Sequence, residues 1–178
     1  MIDAPGESQH PVFNWPVRVY WEDTDAGGIV FYANYLKFFE RARTEWLRSL
    51  GVEQQRLKTE AGGMFVVAQA QLRYFRPARL DDRLRITARL VTLGRASVTI
   101  FQQALVMASP ATGNVDSLQK SEQYRQSNKR LSADEAEFGT LLCDASIRIG
   151  WVSAHSLLPS RIPADLLSRL QTHTRALL

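Results

Sequence analysis

After residue 64 the chain alternates apolar and polar side chains with a period of two in four separate stretches. Ala68, Ala70, Leu72 and Tyr74 alternate with Gln69, Gln71 and Arg73 in 65–75; Leu84, Ile86, Ala88 and Leu90 alternate with Arg83, Arg85, Thr87 and Arg89 in 83–90. Val98, Ile100, Ala104 and Val106 continue the pattern, and Cys143, Ala145, Ile147, Ile149 and Trp151 oppose Asp144, Ser146 and Arg148. This periodicity marks strands with one covered and one wet face. Residues 17–23 fit the same scheme, with Val17, Val19 and Trp21 on one side and Arg18, Tyr20 and Glu22 on the other. Between the first strand and the rest the period changes. Tyr35, Leu36, Phe39, Ala42, Trp46, Leu47 and Leu50 recur at three- and four-residue steps, which predicts one long amphipathic helix. Asn34 is its expected N-cap, Arg41 and Glu45 an i,i+4 pair, and Gly51 its stop. A shorter helical piece is expected over 53–60. The fold class is therefore α+β: one long helix on an antiparallel sheet of about five strands, whose edges invite pairing with a second copy.

The remaining segments punctuate that plan. Arg76-Pro77-Ala78-Arg79 and Leu93-Gly94-Arg95 read as turns. A polar excursion, 108–136, is too long for a tight hairpin and is expected at the sheet edge. A helix is expected from Ile162 to Leu177, starting near Pro163. With 178 residues the chain has the length of one domain. The organisation expected is a tail at 1–16, a single domain at 17–155 carrying the insertion, and an extension at 156–178.

Composition excludes more than it assigns. The formal net charge is +4, but the 22 Lys and Arg are spread along the chain without the basic stripe and interleaved aromatics of a nucleic-acid binder. Cys143 is the single cysteine, and no Cys/His cluster has metal-ligand spacing, so no disulfide or metal is expected. No run of about 18 apolar residues is present and no secretory pattern opens the chain, so the expectation is a cytoplasmic protein without a membrane span.

The run EDTDAGGIVF (22–31) is where chemistry concentrates. Glu22 belongs to the strand alternation. Asp23 and Asp25 each suit an Asx-type turn cap beside glycine. The other reading of Asp25 is functional. Gly27 and Gly28 let backbone approach a ligand, and the following helix directs its free N–H groups back at the loop. A carboxylate facing such donors suits acyl transfer: it attacks a thioester or activates water, while the N–H groups hold the developing oxyanion.

WPVRVYWEDTDAGGIVFYANYLKFFERARTEWLRSLG (15–51), with PARLDD (77–82) and GRAS (94–97), resembles the acyl-CoA thioesterases encoded with the Tol-Pal system, the YbgC-like branch of the hotdog-fold 4-hydroxybenzoyl-CoA thioesterase family. The resemblance runs from about Trp15 to Val152 apart from the insertion. It implies a helix wrapped by a curved antiparallel sheet, homodimers that often pair into tetramers, and active sites at the subunit interface. It also implies hydrolysis of an acyl-CoA with no separate cofactor, coenzyme A being part of the substrate, or of an acyl group on acyl-carrier protein. By resemblance Asp25 is the catalytic carboxylate, and the backbone N–H at Tyr32 polarises the thioester carbonyl. Tyr32 departs from the close relatives, which usually carry His there, and matches the more distant 4-hydroxybenzoyl-CoA enzymes, so by resemblance the backbone role is kept and a histidine side-chain role is absent. Gly27 and Gly28 line the substrate loop, and Arg95 and Ser97 of GRAS meet coenzyme A phosphate or form a solvated hairpin end. His10, His155 and His173 lie in the tail or beyond the last strand and offer no substitute, and Cys143 reads as a core thiol. Two rivals keep the fold: an acyl-thioester dehydratase or hydratase, which would want a His in the site loop, and a non-catalytic acyl-CoA or acyl-carrier-protein binding module.

Overall fold

The computed structural model of the chain describes residues 12–107 and 139–175. Its elements in order are β1 (Phe13–Arg18), a single 3-10 turn (Trp21–Asp23), α1 (Asn34–Ser49), α2 (Gln54–Glu60), β2 (Gly63–Tyr74), β3 (Arg83–Leu93), β4 (Ser97–Val106), β5 (Thr140–Ser153) and α3 (Ala164–Arg175). The five strands form one sheet in the order β1-β3-β4-β5-β2, antiparallel at every pairing. The α+β expectation therefore holds, with β1 and β2 as the two edges. The excursion over 108–136 lies outside the described residues.

Period two works because one face of the sheet closes on α1. Leu84, Ile86, Ala88 and Leu90 of β3, Val98, Ile100 and Ala104 of β4, and Cys143, Ala145, Ile147 and Ile149 of β5 are all buried on that face. Against them α1 lays Phe38, Phe39, Ala42, Trp46 and Leu47. Removing each of the large side chains from water is worth about 1.5–3 kcal/mol. Gly51, at φ 72°, ends the helix as expected. α3 buries Ile162 just before it, with Leu166 and Leu170, and so contributes to the core.

Several expectations need correction. The first strand lies at 13–18 and turns into the 3-10 helix before Trp21, which is 79% exposed and does not face the core. Glu22 is thus on that turn, not on a strand. Asn34 is the first residue of α1, preceded by Ala33, and no side chain caps the helix. Phe38 is in the buried stripe, whereas Leu36 is 39% exposed, one position off it. Glu45 pairs with Arg48, one turn on, and not with Arg41. A bulge between Val67 and Gln69 resets the phase of β2: Val67, Ala70, Leu72 and Tyr74 oppose inward residues of β5, and Ala68 falls in the irregularity.

At its start β2 presses against β5 without room for a side chain. A Cβ on Gly63 would stand 2.4 Å from the buried Trp151 ring, which Phe65 also meets edge-on at 5.0 Å between centroids. Gly63→Ala is therefore expected to cost about 1–3 kcal/mol through forced repacking, read as a lower urea midpoint at unchanged slope. Unchanged stability would mean that Trp151 moves freely.

Candidate active site

Between β1 and α1 the chain closes a small ring. A bridge joins Thr24 to Val30, the Asp25 N–H donates to the Ile29 carbonyl at 2.9 Å, and the Gly28 N–H donates to the Asp25 carbonyl at 3.0 Å. The ring is fastened to the loop before β3, since the Val30 N–H donates to the Ala78 carbonyl at 2.8 Å and Ile29 bridges Arg79. Asp23, 3% exposed, binds both flanks. Its Oδ2 accepts the Tyr20 N–H at 2.9 Å, and its carbonyl accepts the Phe31 N–H at 2.9 Å and Asn34 Nδ2 at 2.9 Å. Asp23 is the structural acid of the run, and Asn34 spends its side chain on it.

Asp25 stands on the ring as an exposed carboxylate. Its Oδ1 accepts the Gly27 N–H at 2.8 Å, so the Asx-turn geometry is realised. It makes no ion pair among the described residues. Gly28 is required by conformation, with φ +71°, whereas a Cβ on Gly27 would lie 3.1 Å from Asp25 Oδ1 and press the carboxylate aside by a few tenths of an ångström.

Tyr32 and Ala33 lie between the Phe31 N–H bond that follows the ring and the first residue of α1, Asn34. No acceptor among the described residues takes the N–H of Tyr32 or of Ala33. The Tyr32 carbonyl accepts the Tyr74 hydroxyl at 3.0 Å, which ties this peptide to the end of β2. Partial desolvation first, then the neighbouring Cys143 and Tyr32, pushes the Tyr74 phenol above its ordinary value. Free N–H groups at an uncapped helix start carry positive potential and attract anionic oxygen. An aromatic shelf surrounds them, with Phe31, Tyr32, Tyr74 and Phe75 all exposed.

The structure thus gathers Asp25, Gly27, Gly28 and Tyr32 into one continuous segment. Arg95 and Ser97 are elsewhere. They belong to the hairpin closed by the Gly94 N–H on the Ser97 carbonyl at 2.8 Å. The 11 residues of β3 separate that hairpin from the ring, roughly 35 Å at about 3.3 Å per residue. His155 is exposed just past β5, beside Gly62 at the opposite end of β2 from Tyr74. His10 and the His173 side chain lie outside the described residues. Cys143 is fully buried, and burial pushes its thiol up to about 12, the neighbouring Asp144 adding to the shift. Sequence reasoning missed Tyr74 and the role of Asn34; the one signal for Tyr74 was its inward strand position beside the Phe75-Arg76-Pro77 turn.

A family model described as the thioesterase superfamily matches residues 27–105. The chain is 48% identical over 97 residues to the acyl-CoA thioester hydrolase YbgC of Escherichia coli, covering 54% of this chain and 71% of that protein. It is 47% identical over 107 residues to the acyl-CoA thioesterase YbgC of Haemophilus influenzae, covering 58% and 78%. The chain belongs to the thioesterase superfamily. Its fold is the hotdog: a 1,4-dihydroxy-2-naphthoyl-CoA thioesterase from Synechocystis superposes with a TM-score of 0.67 at 18% identity, over 94% of this chain and 98% of that one. The matched region begins at Gly27, so it takes in the second half of the ring and the start of α1, while Asp25 lies two residues before it.

Asn34→Ala removes one of the two donors on the Asp23 carbonyl, and the expected cost is about 1 kcal/mol, measured by urea denaturation. Amide exchange at Phe31 is expected to speed up with it. A variant as stable and as protected as wild type would show that the helix start is held by other contacts.

Proposed function

We propose that this chain hydrolyses the thioester of an acyl-CoA to the free acid and coenzyme A. The observation that carries the reading is the segment in which an unpaired carboxylate, Asp25, precedes an uncapped helix start with unbound Tyr32 and Ala33 N–H groups. Two relatives of about half identity are named for the same chemistry. The Asp25 carboxylate attacks the thioester carbonyl carbon or takes a proton from the attacking water. The carbonyl oxygen gains negative charge as the tetrahedral species forms, and the Tyr32 N–H stabilises it by donating to that oxygen. With Asp25 as general base, collapse breaks the C–S bond, the sulfur leaves with the proton taken from water as the coenzyme A thiol, and the oxygen of water remains on the acid; with Asp25 as nucleophile, collapse leaves an acyl–Asp25 anhydride, which water then cleaves to the free acid and the carboxylate while a proton from that water goes to the thiolate. Gly27 fixes the carboxylate through its N–H, and Gly28 allows the turn.

The functional unit in this reading is a dimer. β2 is an edge strand of 12 residues whose middle is exposed, including Val66 and Val67. Such an edge is a template for another strand, and a two-fold axis through it pairs β2 with β2 antiparallel. The Gly63 end of one strand then abuts the Tyr74 end of the other. The Gly94–Ser97 hairpin belongs to the Gly63 end of its own sheet, since Ser97 pairs with Gly150 and Gly150 with Val66. Pairing therefore brings the partner's Arg95 and the partner's Ser97 to the Asp25 end, where a guanidinium and a hydroxyl suit the phosphates of coenzyme A. An acyl group delivered on acyl-carrier protein would meet the same carboxylate and donors.

A second reading is favoured by one observation. The Asp25–Gly27 bond satisfies the turn without chemistry, as in a non-catalytic acyl-CoA binding module. Release of free thiol from acyl-CoAs of increasing chain length separates the two. Wild type is expected to turn over at least one of them, and folded Asp25→Asn to be slowed about 100-fold or more. Binding of acyl-CoA without turnover by either protein would establish the module instead.

A further inference from the structure

One buried cation makes no ion pair among the described residues. Arg43, in the middle of α1, is 7% exposed. Its Nη1 donates at 2.7 Å to Oε1 of Gln102, a neutral amide. Gln102 is fully buried and its Nε2 donates to the Phe39 carbonyl at 3.1 Å and the Thr87 carbonyl at 3.3 Å, so its Oε1 is fixed toward the arginine. Desolvation pulls the Arg43 guanidinium below its ordinary value, with Glu40 opposing. Arg43 takes no part in the ion pairs Arg48–Glu45, Arg56–Glu60 and Arg73–Asp144. A guanidinium keeps its charge in a protein and carries five N–H donors, while an amide oxygen supplies a dipole but no charge. Buried charges are normally paired, because desolvation without a counter-charge is costly.

The missing charge has a place to come from. Arg43 lines a cavity of about 560 Å³ between α1 and β2, with Leu36, Lys37, Glu40, Arg41, Val67 and Ala70 among its walls; of its three cations Arg43 is the buried one. That cavity borders the free edge of β2 at the Val67–Gln69 irregularity, near the middle of the strand from Gly63 to Tyr74. Glu40 is exposed, lies one turn before Arg43, and has a hydrogen bond from the Thr44 hydroxyl but no cation. A two-fold axis near the middle of β2 carries each cavity toward the other. In such an interface, if residue i meets residue j, then j meets i.

We infer that the counter-charge of Arg43 is the Glu40 carboxylate of a second copy of this chain, so that two symmetric Glu40–Arg43 pairs close the cavities across the axis. The inference rests on the β2 pairing described under the proposed function, and it adds the contact that fixes the register of that pairing. A backbone ladder alone tolerates slippage, most of all at a bulge. Two charge pairs, each needing the guanidinium held by Gln102, accept one alignment.

Sedimentation equilibrium on the full chain tests this with Glu40→Gln, Arg43→Met and the double variant, and with Glu45→Gln as a surface control. Glu40→Gln is isosteric at an exposed position, so its far-UV circular dichroism is expected to match wild type. Its dimer dissociation constant is expected to rise about 100-fold or more. Glu45→Gln is expected to change that constant less than about twofold. The double variant is expected to lose no more than the worse single variant, the signature of one shared interaction. A dimer unaffected by Glu40→Gln overturns the inference, as does simple additivity of the two losses. Thermal stabilisation of wild type by inorganic phosphate or acetate, absent in Arg43→Met, would also overturn it by assigning the site to a small anion. A wild type that is monomeric at every concentration defeats the β2 pairing itself, and thiol release then reports separately whether the thioesterase reading stands.

Discussion

Asp23 spends a carboxylate oxygen on Tyr20 and its carbonyl on Phe31 and Asn34, and everything at the presented surface depends on those three bonds. They close the chain between β1 and α1 at one buried point. The turn that follows is then free of structural duty. Asp25 is held by a glycine N–H and left exposed, and α1 begins without a side-chain cap. An isolated helix with that start would fray, since its first N–H groups have no partners. Here the packing of Phe38, Phe39, Ala42 and Trp46 against the sheet stabilises α1 strongly enough to leave the donors unspent.

The sequence revealed the parts of this arrangement that depend on solvent. Strand alternation in β3, β4 and β5 was legible because a single face is covered, and α1 was legible because its stripe is apolar over 16 residues. Failures cluster where hydrogen bonds override periodicity. Trp21 continues the alternation of Val17 and Val19, but the Asp23 side chain captures the Tyr20 N–H and winds the chain into a 3-10 turn, so the indole faces water. Asn34 looks like an N-cap, yet its amide serves a carbonyl 11 residues earlier in sequence. The bulge in β2 shifts a phase that no residue type announces. As for the candidate site, Asp25, Gly27, Gly28 and Tyr32 were local in sequence and are local in space. Arg95 and Ser97 were joined to them only by resemblance, and within one protomer β3 keeps them apart.

That separation and the exposed edge of β2 have one physical origin. A five-stranded sheet has two ends and two edges, and α1 covers only one face of it. Residues at opposite ends of a strand cannot meet inside the protomer. They can meet only if a second sheet is added with its strands reversed, which is what a two-fold axis at an antiparallel edge produces. In the proposed dimer, a site divided between sheet ends and a long edge strand are two expressions of the same geometry.

Gln102 shows why that geometry would need more than an apolar contact. It occupies an inward position on β4 between Ile100 and Ala104, where any aliphatic side chain would bury well. The amide instead uses both ends, two carbonyls on one side and the Arg43 guanidinium on the other. Replacing such a cluster with hydrocarbon is often neutral or favourable for stability, so stability does not account for it. What an aliphatic residue could not do is hold the guanidinium in one orientation at the cavity wall. In the proposed dimer, the apolar side chains of Val66, Val67 and Leu36 alone would fit many registers; a fixed buried cation admits those in which a carboxylate arrives opposite it.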